Sequence, residues 1–241
     1  MLKKRSVLLV KEESVYGTDP TPSASTDALL GIDVKVKETP TAEERPVNKA
    51  TLGKTASLLG KIHTEISFSV ELKGSGTKGT APRIGDLLEA CGFTETIYAG
   101  SSVSYAPASA SIKSVTIYAY LDGRLHIVKG ARGSVKINIE AGKRGLLEFT
   151  MKGLYAAPTD TALPSATYEE TVPPVAKGCT LSVNSVTSLV VQKTEIDLGN
   201  KVAERPSLIG TGGIAGFDIT ERDPSITLDP EAVSIATYDF R

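Results

Sequence analysis

Residues 62–72 alternate with period two. Ile62, Ile66, Phe68, Val70 and Leu72 fall on even positions, and Glu65, Ser67, Ser69 and Glu71 stand between them. Successive side chains of a strand point to opposite faces, so this spacing puts one apolar and one polar face on a single extended segment. A helix would scatter the same residues around its circumference. The pattern recurs in residues 28–38, with Ile32, Val34 and Val36 against Asp33, Lys35 and Lys37. It recurs again in residues 133–141 through Val135, Ile137 and Ile139, and in residues 146–154 through Leu147, Phe149 and Met151. Between residues 115–121 and 124–128 stands Asp122-Gly123, a two-residue turn whose chemistry suits a tight antiparallel hairpin.

Only residues 82–91 show the helical period. Ile84, Leu87, Leu88 and Cys91 form one stripe, Pro82 suits the first turn and Gly92 the end. Cys91 is then a small core residue beneath that helix. With about ten strands and one helix, the fold class is mostly β: an antiparallel β-sandwich or split barrel with one flanking α-helix. Residues 1–157 read as that β-sandwich. Residues 158–178 read as a Pro-rich linker, and residues 179–241 as an additional β segment that forms the second half of a pseudo-repeat. The repeat rests on Glu44-Arg45-Pro46, which recurs as Glu204-Arg205-Pro206 in a similar order of elements. Residues 203–216 read as a loop.

The chain is 241 residues long, and its 27 Lys and Arg balance 28 Asp and Glu at a net charge of −1. That balance excludes wholesale wrapping of nucleic acid, which needs a strongly basic face. With eight Tyr, five Phe and no Trp, stacking platforms for bases or sugars are scarce. The residues after Met1 carry Lys3, Lys4 and Arg5 ahead of an apolar run of only Val7 to Val10, too short for an export signal. No run approaches the roughly 20 apolar residues that span a bilayer. Cys91 and Cys179 make no disulfide framework, so folding in a reducing cytoplasm is expected.

Catalytic chemistry is thinly represented. His63 and His126 are the only histidines, and neither stands at metal-ligand spacing from a cysteine. No Walker loop or nucleophile elbow is present. The G-x-G-x-x-G of Gly74, Gly76 and Gly79 lacks the helix that a dinucleotide site opens inside the motif, and reads as a flexible turn. Glu140, Glu148, Glu195 and Asp197 lie in strand-like segments, as the acids of a jelly-roll glycosidase would, but solvated outward positions explain them as well. No catalytic residue, cofactor or metal is expected. Residues 39–61 form a long polar stretch around Glu43, Glu44, Arg45 and Pro46, with Leu58 and Leu59 near its end; stretches of this length are usually functional.

Taken together, several segments resemble the tail tube proteins of long-tailed bacteriophages. They are the arm Lys11-Glu12-Glu13-Ser14-Val15-Tyr16-Gly17-Thr18-Asp19-Pro20-Thr21-Pro22, the strand of residues 62–72 with its following Lys-Gly-Ser-Gly-Thr turn, the segment 81–93, and the central stretch 128–143 closing in 148–155. The resemblance implies a structural virion protein, not an enzyme. Copies of it would stack as hexameric, or pseudo-hexameric trimeric, rings into a conduit for genome DNA. Implied partners are other copies of the chain, the tail tip or initiator, the tape measure and the neck or terminator proteins, with DNA passing without specific binding and no membrane insertion. Implied location is the virion tail, after folding in the host cytoplasm. Within that reading the contact candidates are Glu43, Glu44, Arg45, Pro46, Leu58 and Leu59 of the long loop, Tyr16 of the arm and Phe240 of the C-terminus. The candidate lumen acids are Glu65, Glu71, Glu140 and Glu148. The alternatives are the tube of a contractile injection system or bacteriocin and, from another class, a carbohydrate-binding or adhesin module.

Overall fold

A computed structural model describes residues 5–182 and 189–231 of the chain. In chain order the elements are β1 (Ser6–Glu12), β2 (Ala28–Leu29), β3 (Ile32–Glu43), β4 (Leu58–Glu71), α1 (Gly85–Ala90), β5 (Phe93–Tyr98), β6 (Ser102–Pro107) and β7 (Val115–Leu121). They continue through β8 (Arg124–Glu140), β9 (Leu146–Tyr155), β10 (Thr159–Asp160), β11 (Val191–Asp197), β12 (Asn200–Pro206), β13 (Ile214–Arg222) and β14 (Ser225–Pro230). The fold is mostly β, and among the described residues every strand pairing is antiparallel and α1 is the single short helix, as the sequence pattern requires.

One ten-stranded sheet organises the molecule, running β2-β1-β7-β8-β9-β4-β3. Its pivot is the 17-residue β8. The first part of β8 pairs with β7, and its later part pairs with β9 on one side and β11 on the other. A register shift falls between Lys129 and Arg132, where Gly130 has φ +58°. Bulges of this kind bend a strand and increase its twist, so β8 serves both halves of a sheet folded onto itself. The sequence suggested two separate strands here, because Gly130 and Gly133 look like breaks; the structure instead bends one strand through them.

The enclosed core joins Leu8 and Val10 of β1, Ile117 and Ala119 of β7, Ile66, Phe68 and Val70 of β4, and Leu147, Phe149 and Met151 of β9. Leu87, Leu88 and Cys91 close it from the helix side, and the Cys91 thiol points at Met151 Sδ, 3.8 Å away. Cys91 is therefore the core residue that its place in the stripe indicated. The helix is shorter than its stripe: it occupies Gly85–Ala90, with Ile84 and Cys91 as its flanking residues. Val7 and Leu9 face the other way into a second small cluster with Tyr120 and Leu125, which Leu163, Ala166 and Tyr168 cover. The Pro-rich stretch thus lies along the back of β1 and β7.

At the Asp122-Gly123 turn both residues have positive φ, +50° and +93°, and Leu121 faces Arg124 across it. Residues 203–216 depart from expectation. They carry parts of β12 and β13, and only residues 207–213 connect the two strands. Glycines at 210, 212, 213 and 216 make that segment look like a loop in the sequence, but Gly216 is there because the Tyr16 ring fills the space over it: an added Cβ would meet the ring at 2.5 Å.

Candidate assembly surfaces and polar sheet face

The four acids expected at a lumen share one surface. In the register of the large sheet, Glu65 lies opposite Lys152, Ser69 opposite Glu148, and Glu148 in turn opposite Lys136. Glu71 lies opposite Leu146, which faces Asn138, and Glu140 lies opposite Lys193. Directly opposed residues point to the same side of a sheet, so Glu65, Glu71, Glu140 and Glu148 belong to a single polar face of β4, β9, β8 and β11. The apolar partners in between, such as Ile66, Phe149 and Val135, point into the core.

That face is a mesh of opposite charges. Lys136 Nζ lies 2.9 Å from Asp197 and 3.6 Å from Glu195. Glu65 is reached by Lys37 at 3.9 Å, Lys152 at 3.7 Å and the His63 ring at 3.6 Å. Arg144 pairs with Glu71 at 3.0 Å and Lys143 with Glu140 at 2.7 Å. The Asp197 hydrogen bond to the Lys136 ammonium raises the lysine's pKa. Partial burial pushes the Asp197 carboxyl up, but its hydrogen bonds from Lys136 and the Gly199 N–H outweigh that and hold it low. Both groups are charged at neutral pH, and each satisfies the other. Among the described residues this face presents fixed charge of both signs, its lysines paired with acids rather than gathered to hold a phosphate chain.

The long polar stretch is shorter than the sequence suggested. Its two ends pair as continuations of β3 and β4, with Thr39 opposite His63 and Glu43 opposite Leu58, leaving residues 44–57 as the connection. It is a projecting hairpin. Glu43, Glu44, Arg45 and Pro46 are all exposed, and Glu44 pairs with Lys54 at 2.7 Å. Leu52 is fully exposed, and Leu58 and Leu59 remain 54% and 71% exposed. Four apolar side chains, Val47 included, are thus exposed on one projecting element, and exposed apolar surface of this kind marks contact sites.

Tyr16 is engaged within the chain. Its hydroxyl donates to the Gly130 carbonyl at 2.9 Å and accepts the Phe217 N–H at 2.7 Å. The Arg132 guanidinium stacks over its ring at 4.9 Å. Burial raises its pKa, partly offset by the Phe217 N–H. Phe240 lies outside the described residues. Reading the sequence did not single out Glu13, which anchors the arm. Its buried carboxylate accepts hydrogen bonds from the Gly17 and Gly130 N–H groups and from the Ser114 and Thr116 hydroxyls, all at 2.6–2.7 Å. Gly130, at the β8 bulge, thus has its N–H held by Glu13 and its carbonyl by Tyr16. A second acidic group, Glu12, Asp86 and Glu89, places three carboxylates within 4.8 Å of one another. The Lys113 ammonium already reaches two of them, Glu12 at 2.9 Å and Glu89 at 3.2 Å. His126 is partly buried on β8, which lowers its pKa against the opposing charge of Glu38.

The described residues thus combine antiparallel sheets, one flanking helix, a salt-bridged polar face and a projecting hairpin with exposed leucines. A family profile described as phage tail tube protein matches residues 3–240. The chain therefore belongs to the phage tail tube protein family and is a structural component of the bacteriophage virion. No curated protein matches it.

Proposed function

We propose that copies of this chain polymerise as stacked rings into the tail tube, with the polar face of the β4-β9-β8-β11 sheet turned to the lumen through which genome DNA leaves the virion. The observation that carries this reading is the gathering of Glu65, Glu71, Glu140 and Glu148 on one charge-balanced face of a sheet whose outer strands, β3 and β14, each have a single partner among the described residues. A sheet with open edges is a template for pairing with another chain. A tube wall uses both edges and leaves none exposed. The projecting hairpin supplies the second contact, carrying Leu52, Leu58 and Leu59 to a neighbouring copy. Family membership favours this structural role over the sugar-binding and glycosidase alternatives. The other expected partners, the tail tip, tape measure and neck proteins, follow from the same role, as does assembly in the host cytoplasm.

Thiol labelling tests the orientation. A Thr150→Cys variant in a Cys179→Ser background places a single accessible thiol on the exposed polar face. In assembled tubes it should react with a small maleimide and resist a bulky polymer-linked one, while the free chain reacts with both. Equal reaction with both reagents in tubes would place that face outside.

A further inference from the structure

Glu44-Arg45-Pro46 and Glu204-Arg205-Pro206 lie 160 residues apart, as do Thr51 and Thr211, Gly53 and Gly213, and Ile66 and Ile226. Strand pairing follows the same offset. Val36 faces Ile66, and Ile196 faces Ile226; Pro40 faces Ile62, and Asn200 faces Arg222; Glu43 faces Leu58, and Ala203 faces Asp218. Two of the irregularities overlap at this offset as well, while a third, between Arg205 and Pro206, falls where the first hairpin has no pairing. Register shifts lie between Ile32 and Lys35 and between Pro40 and Ala42 in the first hairpin. Their counterparts lie between Val191 and Thr194 and between Lys201 and Val202 in the second. A side-chain period of two makes register sensitive to a single-residue slip, so agreement over two long hairpins and two bulges is not a product of composition.

We infer that residues 32–71 and 192–231 are two copies of one hairpin unit, and that the open edge of β14 is the acceptor for the open edge of β3 on the next copy of the chain. The inference rests on the assembly reading above and adds to it which edges meet. The second copy is already seated. Its β11 pairs with β8 along Lys136 to Glu140, and its outer arm, β12 and β13, is fastened to the body. Asn200 donates to the Cys91 and Gly133 carbonyls, Arg222 to the Gly92 and Ala108 carbonyls, and the Ile62 N–H to the Gly212 carbonyl. The first copy's equivalent edge, β3, has no such seat among the described residues; its outer arm is held only at the base, where Lys61 pairs with Glu204 and Ile62 meets Gly212, and Leu58 and Leu59 beyond it are exposed.

The partner follows from burial. Ile66 in β4 is 1% exposed because β9 flanks it, whereas its counterpart Ile226 in β14 is 66% exposed. The second copy therefore carries an interior strand's sequence at an open edge. A β3 strand fits there. The strand directions alternate through β3-β4-β9-β8-β11-β14, so a following β3 is antiparallel to β14. It would also bring Val36, on the same apolar side as Ile66, next to Ile226. Each chain then contributes six strands to the wall, and the joint is head to tail, the type that generates rings.

Two edge variants test this, Val36→Asp on β3 and Ile226→Asp on β14, each first shown to keep a cooperative melt and a β-type circular dichroism spectrum. If Val36→Asp does not fold, Lys35→Pro at the same edge takes its place. The unaltered chain should give sedimentable tubes, and either variant alone should reduce them about tenfold or more, a change of roughly 1.4 kcal/mol or greater. Mixing the two variants should give heterodimers by native mass spectrometry, since one intact joint remains between them. Tubes from Ile226→Asp at the unaltered yield would overturn the joint while leaving the assembly reading standing. A mixture that stays monomeric would likewise overturn it. Failure of the unaltered chain to assemble would overturn the assembly reading and the joint with it.

Discussion

The Tyr16 hydroxyl accepts the Phe217 N–H at 2.7 Å across 201 residues of chain, while donating to Gly130 at the bend of β8. This one side chain ties the N-terminal arm, the pivot strand and the C-terminal hairpin together. Its neighbour Arg132 reinforces the joint by donating to the Phe217 carbonyl at 3.0 Å and pairing with Asp218. Phe217 itself is 1% exposed and meets the His63 ring edge-on.

Tyr16→Phe should keep the packing and remove both hydrogen bonds, leaving the Phe217 N–H and the Gly130 carbonyl without their partner. Orphaned buried groups of this kind cost about 1–3 kcal/mol. The expected result is a lower denaturation midpoint and faster amide exchange concentrated in β12 and β13. Uniform exchange throughout the sheet would show that the clamp is not local.

Asp86 should make stability depend on pH in an unusual direction. Burial raises its carboxyl to about 6; the Glu12 N–H opposes this, while the charges of Glu12, Glu89 and Asp27 add to it. Because the folded pKa lies above the unfolded one, the folded state binds the extra proton between about pH 4 and 6. Stability from this group is then present at low pH and lost as pH rises through 6. At neutral pH the cost is on the order of 2–3 kcal/mol. Asp86→Asn keeps an acceptor for the Glu12 N–H and should raise the melting temperature at pH 8 more than at pH 4. An equal gain at both values would contradict it.

Much of this architecture is legible in the sequence, and the illegible part has physical causes. Ile62, Ile66, Phe68 and Val70 announce β4 because burial on one face forces period two. Asp122 and Gly123 announce their turn because both residues tolerate positive φ. The helix ends were misjudged because Ile84 and Cys91 are buried whether or not they are helical. Glycines 130 and 216 read as breaks because the sequence does not show that Glu13 and Tyr16 satisfy or fill those positions from far along the chain. The acids at 65, 71, 140 and 148 could be recognised as outward residues of strands; only register showed that they share one face.

Leu58→Ser with Leu59→Ser should separate folding from assembly. Both side chains are exposed on the projecting hairpin, so unfolding free energy should change by no more than about 0.5 kcal/mol. Tube yield by sedimentation should nevertheless collapse, because the apolar contact to the neighbouring copy is gone. Unchanged yield would remove the hairpin from the interface.

Reversing charge on the polar face should spare assembly and hinder DNA. Glu140→Lys with Glu148→Lys replaces two acids beside Lys136 and Lys143, at a stability cost of under about 1 kcal/mol for each exposed pair lost. Tubes should still form, and phage carrying them should release DNA more slowly at low salt than at high salt, since phosphate adhesion is screened by ions. Ejection at the unaltered rate in low salt would contradict a lumen lined by this face.

Assembly into tubes is decided by electron microscopy of the concentrated protein, with and without a tail-tip preparation. The expected result is hollow tubes with a regular ring repeat, a continuous antiparallel wall and the Glu65, Glu140 and Glu148 face turned inward. Persistent single particles under both conditions, or tubes with that face outward, would contradict the account.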